Sequence, residues 1–95
     1  MTHAFVVGQM TVKHPEKWAE YRSQVLATLQ AFGGELVFRG EQAHVFSGMC
    51  PHPDIVVIRF ACLADADGWH GSAAYQALIP LRREAADVVL TSYRS

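Results

Sequence analysis

The sequence is poor in features that would settle a function at sight. Its two cysteines, Cys50 and Cys62, suggest no disulfide framework and make a reducing cytoplasm the expected location. Basic residues never run longer than Arg82-Arg83, and 8 basic against 9 acidic residues leave a net charge of −1. That balance gives no electrostatic footprint for nucleic acid. No apolar run approaches the roughly 20 residues that a membrane span needs. The opening "MTHAFVVGQM" lacks a basic n-region, a long apolar stretch and a small-residue cleavage site, so no secretion signal is read there. Glycine-rich phosphate loops, a G-x-S-x-G elbow and a dinucleotide fingerprint are missing. "CPHPD" holds a Cys-x-His pair with His44 nearby, but without any usual structural zinc spacing. No metal and no cofactor are assigned.

What is present is apolar. The 95 residues are 51% hydrophobic and 18% charged, which is too apolar for a disordered chain. One domain spanning residues 1–95 is expected, at the small end of what buries a self-sufficient core. Such a chain is expected to hide part of its apolar surface against a partner.

The periodicities give an order of elements. "AFVVGQMTV" (4–12) alternates like a strand, with Ala4, Val6, Gly8 and Met10 on one parity and Phe5, Val7, Gln9 and Thr11 on the other. "KHPEKWAEY" opens a helix, with Pro15 in its first turn and Glu16 at the positive end of the helix dipole. Trp18, Tyr21, Val25, Leu29 and Phe32 form one face of it. Gly33-Gly34 ends it. "ELVFRG" (35–40) reads as a second strand, and "AHVFSG" (43–48) as its continuation or a hairpin arm. "MCPHPD" is a loop, and "IVVIRFA" (55–61) is the clearest strand. "LADADGWHG" reads as a short helix. Ser72 caps a further helix through "AAYQAL", which Pro80 kinks or restarts. "DVVLTSY" (87–93) is the last strand.

This is the βαββαβ order of a ferredoxin-like α+β fold, with a four-stranded antiparallel sheet and helices on one face. Val56, Ile58 and Phe60 define one face of the third strand, and Ile55, Val57 and Arg59 the other. Both faces are largely apolar, so the helix-free face needs cover. Two copies packed sheet to sheet about a two-fold axis supply it, and a homodimer is expected.

"HPEKWAEYRSQVLATLQAFGGELVFRG", "IVVIRF" and "WHGSAAYQALIPLRREAADVVL" resemble the domain of unknown function 1330 family, within the dimeric α+β barrel superfamily. The resemblance covers nearly the whole chain. It implies a ferredoxin-like subunit and a barrel-forming homodimer, and it implies no established activity. The wider superfamily holds small monooxygenases, isomerases, haem proteins and non-catalytic modules, so the fold alone names no chemistry. His70 stands where an aromatic such as tyrosine is expected after the tryptophan.

Candidate site residues follow from parity. If Val56, Ile58 and Phe60 face the helices, Arg59 points into the barrel. Gln9 and Arg39 share its parity on the neighbouring strands. Two guanidiniums in an apolar barrel need anionic partners. A carboxylate-bearing ligand is one answer, and Glu35, Glu41 or Asp54 from either chain is the other. In the second helical region, His70, Tyr75 and Arg82 are placed at the mouth of the barrel. There His70 would be a general base, Tyr75 an oxyanion donor and Arg82 a carboxylate anchor. The plainer reading makes them packing and helix-end residues. Tyr21 is expected in the core with its hydroxyl at the barrel edge, and Trp18 and Phe32 in the core.

Three readings stay open. The first is a homodimer binding a small anionic metabolite in a barrel pocket. The second is a cofactor-free monooxygenase- or isomerase-like enzyme. The third is a non-catalytic dimerisation or regulatory module.

Overall fold

A computed structural model describes residues 3–95; Met1 and Thr2, part of the stretch read for a secretion signal, lie outside them. The elements are β1 (Ala4–Val12), α1 (Pro15–Gln30), β2 (Glu35–Glu41), β3 (Asp54–Phe60), α2 (Leu63–Gly71), α3 (Ala73–Gln76), α4 (Ile79–Ala85) and β4 (Ala86–Arg94). All strand pairs are antiparallel, in the order β2-β3-β1-β4. The helices pack on one face, as the ferredoxin-like reading requires.

The alternation in β1 translates directly into burial. Ala4, Val6, Gly8 and Met10 are buried, whereas Phe5, Val7 and Gln9 are half-buried on the opposite face. Helix α1 contributes Tyr21, Val25 and Leu29, one turn apart, to the same core. It ends where the Gly34 N–H donates to the Leu29 carbonyl and Gly33 adopts φ 69°, a left-handed cap that glycine accepts without strain. Phe60, Trp69 and Tyr75 close the core from the far end, with ring centroids 5.7 Å apart for Phe60–Trp69 and 4.3 Å for Trp69–Tyr75. Burying each such ring stabilises the fold by about 1.5–3 kcal/mol.

Two expectations need correction. "AHVFSG" forms no strand: residues 42–53 run without regular structure, and Phe46 and Met49 lie almost wholly exposed. Pro51 and Pro53 cannot donate ladder hydrogen bonds, which leaves this stretch without a pairing partner on the edge strand. Trp18 and Phe32 are only partly buried, packed against the core rather than within it.

A third correction, one of register, decides the site. β2 carries a bulge: Leu36 pairs with Ile58 but Phe38 pairs with Val57, so Val37 is an extra residue. From there onward the parity of β2 is reversed. Phe38 moves to the helix-free face, where its ring covers Gly40; a Cβ on that glycine would come 2.6 Å from the ring. Arg39 moves to the helix side. The helix-free face therefore presents Phe5, Val7, Phe38, Val57, Val89 and Tyr93, of which Phe38 (53%) and Tyr93 (55%) are the most exposed.

Candidate functional site

A cleft of about 570 Å³ lies between α1 and the sheet, on the helix side rather than between two sheets. Trp18, Val25 and Leu26 of α1 form one wall, and Met10, Ile58 and Leu90 of the sheet form the other. Trp18 stacks on Tyr21 with centroids 5.1 Å apart and planes 23° from parallel. The polar groups in this apolar lining are few: Tyr21, Arg22, Arg39, Glu41 and Asp54. A mostly apolar cleft with a few placed polar groups is the usual form of a small-molecule site.

The electrostatics of the rim are unusual. The ion pairs among the described residues are Lys13–Asp87, Lys17–Glu84 and Arg59–Glu35. Among the described residues, Arg22 and Arg39 have no carboxylate within ion-pair distance, and neither Glu41 nor Asp54 has a cation. Glu41 and Asp54 face each other across β2 and β3.

Behind Tyr21 lies a chain of polar groups. Tyr21 Oη is 2.9 Å from Tyr75 Oη, and Arg82 Nη1 donates to Tyr75 Oη at 2.9 Å. The local sequence explains how Tyr75 reaches this point. Ser72 Oγ accepts from the Tyr75 N–H at 3.2 Å and donates to the Trp69 carbonyl at 2.7 Å, which turns the chain between α2 and α3. Pro80 then starts α4 and brings Arg82 back over Tyr75. Trp69 Nε1 donates to Thr28 Oγ1 at 2.9 Å, pinning this region to α1. Tyr75 is fully buried. Burial, and after it the neighbouring Tyr75, push the Tyr21 phenol well above its ordinary value, against a weaker lowering by Arg82. Tyr21 is therefore a neutral hydroxyl across the physiological range.

The expected site residues thus divide. Tyr21, Arg39, Tyr75 and Arg82 lie on the helix side, Tyr21 and Arg39 in the cleft itself. Arg59 lies on the other face and is paired with Glu35, whose carboxyl it holds below the usual range through their hydrogen bond and charge. Gln9 borders a separate depression of about 460 Å³ under the 42–53 loop, its Nε2 3.8 Å from Cys50 Sγ. The nearby His52 ring is held by Thr11 Oγ1 at 2.9 Å. His70 is exposed and borders none of these cavities; its carbonyl accepts from Gln76 Nε2 at 2.7 Å. Trp18 and Arg22 were not foreseen as cleft residues, although Trp18, Arg22 and Leu26 fall at four-residue spacing beside the core stripe. Among the described residues, no helix is long and apolar enough to cross a membrane.

Comparisons agree with this architecture. A family model described as "Domain of unknown function (DUF1330)" matches residues 3–93. No curated protein matches the chain. Among solved structures, a protein of unknown function from Rhodopseudomonas palustris is similar at TM-score 0.78 and 14% identity, over 96% of this chain and 80% of that one. SnoaB, described as a cofactor-independent oxygenase from Streptomyces nogalater, is similar at TM-score 0.72 and 8% identity, over 98% and 92%. A dimeric ferredoxin-like protein of unknown function from Thermobifida fusca gives TM-score 0.64 and 10% identity, over 97% and 90%. At these identities the likeness is one of fold.

Proposed function

The chain belongs to the DUF1330 family, and from the geometry of its cleft we propose that it binds a small organic anion with a flat apolar body. The observation that carries this reading is Arg39: an arginine on the rim of an apolar cleft with no carboxylate partner among the described residues. A guanidinium's planar fork suits a carboxylate. Trp18, Leu26 and Ile58 suit the apolar body. Glu41 and Asp54 on the same rim disfavour a second negative charge.

The assembly belongs to the same proposal. The apolar helix-free face is covered by a second copy about a two-fold axis, supported by the exposed Phe38, Val89 and Tyr93 and by the dimeric Thermobifida fusca neighbour. The site stays within each protomer, on the opposite side of the sheet.

A second reading, a cofactor-independent oxygenase acting on an aromatic substrate, is supported by the aromatic wall of Trp18 and Tyr21 and by the fold shared with SnoaB. It predicts substrate-dependent oxygen consumption by the purified protein, and its absence across aromatic substrates would leave the binding reading in place.

Trp18 and Trp69 both border the cleft, so intrinsic fluorescence reports occupancy. Titration with 2-naphthoate should quench it saturably, and 2-methylnaphthalene should bind more weakly. Equal affinity for the two would refute the anion reading, and no saturable quenching by either would refute the binding site.

A further inference from the structure

The Arg82–Tyr75–Tyr21 chain has a direction. A guanidinium donates and cannot accept, so Arg82 Nη1 occupies the Tyr75 oxygen as donor. Tyr75 is fully buried, and the only other polar partner of its hydroxyl among the described residues is Tyr21 Oη. The Tyr75 hydrogen therefore goes to Tyr21 Oη; the reverse arrangement would strand a donor in the core. That leaves the hydrogen of Tyr21 with no acceptor among the described residues, on a side chain that lines the cleft.

We infer that Arg82 and Tyr75 are positioning residues that fix Tyr21 as a hydrogen-bond donor to the cleft, so that its ligand carries an acceptor oxygen, a conjugated carbonyl, enolate or phenolate, at its inner end. This rests on the cleft being the binding site proposed above. Each donor in the chain polarises the next, and an anionic oxygen gains most from such a donor. Burial, which keeps Tyr21 protonated, is consistent with the same role.

The test uses 4-nitrophenol, whose phenol and phenolate forms absorb at different wavelengths, beside nitrobenzene, which lacks the hydroxyl. Tryptophan quenching reports binding of each, and absorbance reports the ionisation of bound 4-nitrophenol. With the wild-type protein its ionisation midpoint should fall by roughly one pH unit on binding, a tenfold preference for phenolate. Tyr75→Phe leaves the Arg82 charge in place but breaks the chain. It should shrink the shift, because Tyr21 loses the donor that polarises and orients it, while nitrobenzene still binds. Arg82→Met should do the same, and Arg82→Lys should restore part of it. A shift of full size in Tyr75→Phe would mean that Tyr21 or the Arg82 charge acts without the chain, and would overturn the relay. So would an unshifted midpoint in the wild type with both probes bound. Failure of both probes to bind would instead overturn the cleft as a binding site, and the relay's role with it. Should Arg82→Met not fold, Tyr75→Phe alone decides.

Discussion

Arg39 and Arg59 stand on neighbouring strands yet belong to opposite faces of the sheet, because the extra residue Val37 reverses the parity of β2 between them. Arg39 borders the cleft and Arg59 is neutralised by Glu35. The two guanidiniums share no site, and each has its own consequence.

Arg39→Leu should weaken 2-naphthoate binding by roughly tenfold or more, since hydrogen bonds to charged groups contribute about 1.5–3 kcal/mol. Arg59→Leu should leave that affinity unchanged, because its partner is an exposed carboxylate on the other face. Parallel fluorescence titrations decide it; an equal loss in both variants would contradict the division of the faces.

Tyr75→Phe removes a buried hydroxyl that serves both Arg82 and Tyr21. Unfolding in urea should show a loss of about 1–3 kcal/mol, the range for leaving buried polar groups without a partner. A change near zero would mean that water replaces the hydroxyl.

Alkaline pH should destabilise the protein through Tyr21. Its folded-state value is raised above the ordinary 10.0, so the folded form keeps a proton that the unfolded form gives up. The resulting stabilisation is complete below pH 10.0 and is lost as pH rises beyond it. Tyr21→Phe should flatten the decline of stability above that pH, as followed by denaturant midpoints. An unchanged slope would show that Tyr21 is more hydrated than its burial implies.

Val57→Asp puts a charge at the centre of the helix-free face, opposite Val7. The expected product is a folded monomer, seen by sedimentation velocity together with an unchanged far-ultraviolet spectrum. An intact dimer would place the interface elsewhere, because an unpaired charge in a packed interface costs several kcal/mol on the order of magnitude.

His70→Ala should leave 2-naphthoate affinity unchanged and alter stability by no more than about 0.5 kcal/mol, as for an ordinary exposed position. A specific loss of binding would bring His70 into the site from which its exposure separates it.

By itself the sequence determined the element order, the antiparallel sheet and the two parities of β1 and β3. Those follow from local periodicity and from caps such as Gly33 and Ser72, which act within a few residues. That Val6, Ile58 and Phe60 face the helices was an assumption, and the tertiary structure bears it out. The sequence also marked His70, Tyr75 and Arg82 of the second helical region as candidates for one site. The tertiary structure decided which of them meet. The β2 bulge depends on pairing with β3, a contact between residues about twenty apart, and a single extra residue there exchanged the faces of Phe38 and Arg39. The junction of Tyr21 with Tyr75 spans fifty-four positions. Its hydrogen-bond direction came from two tertiary facts together: Arg82 can only donate to the Tyr75 oxygen, and Tyr75 is so buried that its own hydrogen has nowhere to go but Tyr21.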